Sequence, residues 1–234
     1  DESSEKCRIQ LTKCIKYGYN QIIRRWQIML VPEGYKSRLI EKLFDEYMET
    51  FGAVCIEGPK YCGKTWTAQS RAESAAFISD PEKNFQTRTM AKLSPDLVLN
   101  GQLPRLIDEW QEVPPIWDAV RFAVDKDGKK GKYILTGSAT PNHKGIMHSG
   151  TARIGRVRMN SMSLYETGDS SGDISLKDLF AEEIEPRITG DISLEQLVYY
   201  TVRGGWPGNL KTSAKVCGNL AKEYLKAVVD DDMY

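Results

Sequence analysis

The chain has 234 residues, 41% of them apolar, and its 32 basic and 32 acidic side chains cancel to a net charge of zero. A chain of that size suits one α/β domain with a small appendage, and the balanced charge offers no global electrostatic attraction to nucleic acid or to an anionic membrane. No apolar run approaches the roughly 20 residues that span a bilayer, so no membrane partner is expected, and the charged opening "DESSEKCRIQ" has no apolar signal core behind it.

Residues 1–33 form a basic, weakly patterned segment of the appendage type, punctuated at its end by Pro32 and Gly34. In "SRLIEKLFDEYMETFG", Leu39, Ile40, Leu43, Phe44, Tyr47 and Met48 recur at helical spacing. Ser37 is the expected N-cap of that helix and Gly52 its stop. "AVCIE" (53–57) reads as a strand, "KTWTAQSRAES" (64–74) as a helix and "AAFISD" (75–80) as a second strand. Short helical candidates follow around Met90–Leu93 and Pro95–Asn100. "RLIDE" (105–109) is a third strand, "PIWDAVRFAVD" (115–125) a helix, "GKKGK" (128–132) a turn and "YILTGS" (133–138) a fourth strand. Beyond them a strand is expected near Arg156–Met159, and helices in "LEQLVYYTVR" and "NLAKEYLKAVV" flank a break at "GGWPGN". Strands alternating with helices predict a parallel sheet covered on both faces, with ligands at the carboxyl ends of its strands.

Gly58-Pro59-Lys60-Tyr61-Cys62-Gly63-Lys64-Thr65 fits G-x-x-x-x-G-K-[ST] at every fixed position, between a strand and a helix. Glycines at those points let the backbone curl around phosphate and aim N–H groups inward. Lys64 is expected to reach the β- and γ-phosphates and Thr65 to offer its hydroxyl to Mg²⁺, with Trp66 following directly. The positive end of the helix adds to the same site. Cys62 is read as a small residue that fits the loop rather than as a redox switch.

Forty-four positions after Lys64, "LIDE" ends an apolar strand with Asp108 and Glu109. Asp108 at that place suits Mg²⁺ coordination, and a carboxylate directly after it, Glu109, can polarise a water as general base. Thr136 and Ser138 close the fourth strand, where either hydroxyl could touch a γ-phosphate. Nothing resembling a guanine-reading N/T-K-x-D follows a strand, so ATP is the expected nucleotide. The five cysteines (Cys7, Cys14, Cys55, Cys62, Cys217) include no C-x-x-C pair and have only His143 and His148 beside them. That argues against a zinc site and for reduced thiols in a cytoplasmic protein.

The runs "PRLIDEWQEVPPIWDAVRFAVD", "GKYILTGSATP", "HSGTARIGRVRMNSMSLYE" and "RGGWP" resemble a group of bacterial and archaeal AAA+-type ATP-binding proteins, described as predicted ATPases, whose AAA core precedes a C-terminal domain of unknown function. The resemblance covers Gly34 to the end and implies a P-loop NTPase three-layer sandwich over 34–166. Its topology would be the additional-strand type, with one strand between the loop-bearing strand and the Asp-Glu strand. A helical lid and connector would occupy 167–234, and the expected C-terminal domain would lie beyond Tyr234. The resemblance also implies ATP and Mg²⁺ as ligands and the water-activating role for Glu109. It further implies a homo-oligomer in which Arg153 or Arg156 reaches a γ-phosphate, and an attached domain or a protein or nucleic-acid partner that is moved. Asn160 departs from the arginine expected there, and 1–33 match nothing in the family. The competing expectations are a non-hydrolysing, nucleotide-gated interaction module or truncated fragment, and a small-molecule kinase, for which no acceptor site or arginine-rich lid is evident.

Overall fold

A computed structural model describes residues 31–81, 85–138, 146–181 and 191–232. Most of the N-terminal segment 1–33, and the end of the "ILTGSATP" motif, therefore lie outside the described residues.

Five strands, β1 (Ala53–Gly58), β2 (Ser74–Phe77), β3 (Arg105–Asp108), β4 (Tyr133–Ser138) and β5 (Ile154–Arg158), form one sheet in the order β2-β3-β4-β1-β5. Every pairing is parallel. β4 lies between β1 and β3, which is the additional-strand arrangement. In register, Ala53 to Gly58 face Tyr133 to Ser138, so β1 and β4 end together.

Central strands of a parallel sheet are buried on both faces and read as continuous apolar runs. Ala53, Val54, Cys55, Ile56, Leu106, Ile107, Ile134 and Leu135 are accordingly almost fully buried. One side of the sheet is covered by α3 (Gln86–Leu93), a 3-10 turn at Pro95–Leu99 and α4 (Pro115–Asp127), around a core holding Ile107, Trp110, Ile116, Trp117, Val120 and Leu135. Trp110 and Trp117 pack at 4.8 Å between ring centroids. On the other side, α2 (Lys64–Gln69) lies against β1, β3 and β4, and α1 (Glu41–Thr50) against β1 and β5.

The elements follow the sequence reading with shifted edges. α1 begins at Glu41 rather than beside Ser37, because Glu41 takes the local donors itself: Ser37 Oγ at 3.0 Å and the Arg38 N–H at 2.8 Å. α2 stops at Gln69, where the Ser70 hydroxyl turns back onto the Thr67 carbonyl at 2.8 Å and β2 starts at once from Ser74. β5 starts two residues before the expected Arg156 and ends at Arg158. Arg71, just past α2, bonds Glu41 at 2.9 Å and Asp45 at 3.0 Å on α1. Tyr35 Oη donates to Glu41 Oε1 at 2.6 Å and lies 3.1 Å from Thr67 Oγ1.

The chain divides into two compact units. One runs to Gly58 and resumes over Lys64–Arg158; the other comprises Pro59–Gly63 and the chain from Met159 onward. The second unit is helical: α5 (Leu164–Thr167), α6 (Leu176–Ala181), α7 (Leu194–Arg203) and α8 (Ala214–Asp232). Capping boxes at Ser163/Glu166 and Ser193/Gln196 satisfy the first N–H groups of α5 and α7. The "RGGWP" break carries Arg203, which is buried, pairs with Asp169 at 2.7 Å and stacks on Tyr199 and Tyr200. Trp206 in the same break packs on Tyr224 of α8 at 4.7 Å.

Candidate nucleotide site

β1 ends at Gly58 and α2 begins at Lys64, so the expected phosphate loop is the turn between them. Its backbone bends through two left-handed positions, Tyr61 at φ 64° and Gly63 at φ 102°. Glycine adopts that region freely; for Tyr61 it costs on the order of 1–2 kcal/mol. Tyr61 is 77% exposed and sets its ring edge-on to Tyr224 at 6.2 Å. Cys62 is buried, with Sγ 4.0 Å from the Met159 carbonyl, which agrees with a packing role. Trp66 projects from α2 and is 45% exposed.

Lys64 is buried, and its Nζ donates to the Gly58 carbonyl at 2.9 Å. A buried ammonium is held only where it is hydrogen-bonded or paired, and the loop's own first residue supplies that acceptor. Both ends of the loop are thus joined by the side chain expected to meet a β- or γ-phosphate.

Beside it, three elements converge on one carboxylate. Thr65 Oγ1, from the first turn of α2, donates to Asp108 Oδ1 at 2.8 Å. Thr136 Oγ1, from β4, donates to the same oxygen at 2.6 Å and accepts the Glu109 N–H at 3.1 Å. The placement follows from register: β3 and β4 are hydrogen-bonded neighbours with Ile107 opposite Leu135, so the residues one step on, Asp108 and Thr136, stand side by side. Of the two hydroxyls left open by the sequence, Thr136 is the one on Asp108; the Ser138 side chain lies outside the described residues.

A hydroxyl and a carboxylate 2.8 Å apart are hard oxygen donors of the kind Mg²⁺ takes, in a site completed by phosphate and water rather than by a protein cage. Among the described residues no group of three or more His, Cys, Asp or Glu could hold a metal ion, so Thr65 and Asp108 could contribute only part of a coordination shell.

Glu109 follows Asp108 in the left-handed region, at φ 57° and ψ 48°. That conformation turns the chain out of β3 into the 3-10 turn Trp110–Glu112, closed by the Glu112 N–H on the Glu109 carbonyl at 3.1 Å. Burial pushes the Glu109 carboxyl above the usual range; the Gln111 amide and Lys64 pull it down, and the neighbouring Asp108 and Glu112 push it up. Gln111 Nε2 donates directly to Glu109 Oε2. Gln111 is the residue that sequence reasoning left without a role, although it stands in the quoted "LIDEWQ".

The two arginines lie elsewhere. β5 runs parallel to β1 with Ile154 opposite Ala53 and Arg158 opposite Glu57. Arg153, just before β5 and level with Gly52, is therefore at the sheet end remote from the loop, its backbone roughly 20 Å from Gly58 at about 3.3 Å per strand residue. It pairs with Asp125 at 2.8 Å. Arg156 sits mid-strand, 3.7 Å from Glu57 and 4.9 Å over the Trp117 ring.

A family model described as an AAA domain matches residues 50–168, just over half of the chain. Uncharacterized proteins of Mycobacterium tuberculosis and Mycobacterium bovis are each 28% identical to it over 123 residues, 51% of this chain. The match covers only 27% of those relatives' own length. Among solved structures, the FIGL-1 AAA domain in complex with ADP is 13% identical, with 88% of this chain and 80% of that one covered at a TM-score of 0.35. PCH-2 of C. elegans is 12% identical, with 92% and 68% covered at 0.29. Among the described residues no helix is long and apolar enough to cross a membrane. With its glycine loop, its parallel sheet in the order β2-β3-β4-β1-β5 and the matching family model, the chain belongs to the AAA domain family, whose function is of the nucleotide-binding, ATPase type.

Proposed function

We propose that the chain is a Mg²⁺-dependent ATP hydrolase. The observation that carries this reading is the cluster at the carboxyl ends of β1, β3 and β4. Lys64 lies on the Gly58 carbonyl at 2.9 Å, Thr65 and Thr136 share Asp108 Oδ1 at 2.8 and 2.6 Å, and Glu109 follows directly with a half-buried carboxylate. Gly58, Pro59, Lys60, Tyr61, Cys62 and Gly63 wrap the phosphates with backbone N–H groups, and Lys64 leaves the Gly58 carbonyl to meet the β- and γ-oxygens. Thr65 and Asp108 would hold Mg²⁺, which when bound would supply charge neutralisation on the phosphates. Glu109 accepts a proton from the attacking water, and Thr136 fixes the carboxylate pair from β4. Trp66 flanks the loop on the α2 side.

Arg153 lies too far along the sheet to serve the loop of its own chain, which favours a homo-oligomer in which it approaches a neighbour's γ-phosphate. In this reading 34–166 is the ATPase core and 167–234 a helical lid and connector. Hydrolysis then shifts an attached domain or a bound protein or nucleic acid.

The test is ATP turnover with Mg²⁺, for the wild-type chain and for Glu109→Gln. The hydrolase reading expects turnover in the wild type and its near-complete loss in Glu109→Gln, with ATP binding retained. A wild type that binds ATP without turning it over would establish instead a nucleotide-gated interaction module.

A further inference from the structure

We infer that Gln111 is a positioning residue for hydrolysis: its side-chain amide holds one oxygen of Glu109 and so aims the other at the attacking water. The inference rests on the hydrolase reading above and adds a residue to it.

The geometry is local. Glu109 has a backbone fixed in the left-handed region, with its N–H tied to Thr136 at 3.1 Å. Its side chain, by contrast, keeps three rotatable bonds, and a general base must present an oxygen within hydrogen-bond reach of the proton it takes. Gln111 closes that freedom. The 3-10 turn brings position 111 back beside position 109, and fully buried Trp110 anchors the turn in the core. Gln111 Nε2 then donates to Glu109 Oε2.

At its oxygen end the amide is enclosed by packing, with no hydrogen-bond partner among the described residues. Its Oε1 is buried, and a Cβ added to Gly137 at the end of β4 would stand 3.2 Å from it and 2.9 Å from Trp110 Nε1. Bare backbone at Gly137 therefore makes room for the Gln111 amide on one side while Glu109 fixes it on the other. With Oε2 engaged, Oε1 of Glu109 is the oxygen left for the water. An aliphatic side chain at 111 would fill the same space without holding the carboxylate, and a carboxylate there would repel it.

The experiment compares steady-state ATP hydrolysis in the full chain for wild type, Gln111→Met and Gln111→Glu, with nucleotide affinity and thermal midpoint measured alongside. Methionine keeps the volume and removes the donor; glutamate keeps the shape and replaces the donor with an acceptor. The inference expects kcat to fall by about tenfold to a hundredfold in both, with KM and ATP affinity nearly unchanged, and the Gln111→Met midpoint close to wild type. Wild-type kcat in Gln111→Met, or a rise in kcat, would overturn it. So would a loss of kcat that only tracks unfolding. A wild type with no turnover would defeat the hydrolase reading and this inference with it, whereas an active wild type with an equally active Gln111→Met would defeat this inference alone.

Discussion

Replacing Thr136 with valine removes a single hydroxyl that serves two partners. Thr136 is fully buried, donates to Asp108 Oδ1 at 2.6 Å and accepts the Glu109 N–H at 3.1 Å. Valine has nearly the same shape, so no cavity opens and the effect isolates the polar loss. A hydrogen bond to a charged group contributes about 1.5–3 kcal/mol, and a partly buried N–H left without an acceptor costs about 1–3 kcal/mol. Asp108 keeps the Thr65 hydroxyl at 2.8 Å, which limits its share of the loss. The lower ends of both ranges apply, giving about 2.5 kcal/mol, or roughly 5–10 °C in Tm for a chain of this size. Thr136→Ser keeps the hydroxyl and sheds one methyl, worth about 1 kcal/mol. Thermal and urea unfolding of the two variants should therefore rank serine well above valine. Valine equal to or more stable than serine would refute the claim that this hydroxyl organises the Asp108–Glu109 pair.

Lys64→Ala removes the group joined to the Gly58 carbonyl, and ATP affinity by titration calorimetry should fall by about a hundredfold or more. Burial pushes the Glu41 carboxyl up, but the bonds from Tyr35, the Arg38 N–H and Arg71 outweigh it and hold it below the ordinary range. Its stabilisation is then complete above the unfolded value of about 4.3 and is lost as pH falls through the lower folded value. Urea midpoints should drop more steeply on acidification in the wild type than in Glu41→Gln, and parallel acid limbs would contradict this. Gly155→Ala should destabilise by about 1–3 kcal/mol, because the new Cβ would stand 2.4 Å from Phe51 Cδ2 and 2.9 Å from Tyr47 Cδ2; an unchanged unfolding midpoint would contradict the tight seating of α1 on β5.

Much of the site could be read from the chain because its signals are local. The glycine loop follows directly on an apolar strand, and Asp108 and Glu109 end another, so residue type and position point to the same chemistry. Other features depend on pairing that spacing does not encode. Thr136 could not be separated from Ser138 until β4 lay beside β3 with Ile107 opposite Leu135. Arg153 and Arg156, three residues apart in one basic stretch, proved to have different surroundings once Ala53 was set opposite Ile154. Gln111 escaped because a 3-10 turn has neither the two-residue nor the 3.6-residue period that pattern reading detects. The short helices α5 and α6, of four and six residues, span too few positions to establish a helical period; α5 is capped by its Ser163/Glu166 box and α6 by the bonds between Ser175 and Asp178.

The central claim, that Glu109 activates water at this loop, is tested most directly by the nucleotide that the protein keeps. Wild type and Glu109→Gln are incubated with ATP and Mg²⁺, freed of unbound nucleotide, and the bound species identified by chromatography. The account predicts ADP on the wild type and intact ATP on Glu109→Gln. ADP recovered equally from both would contradict it.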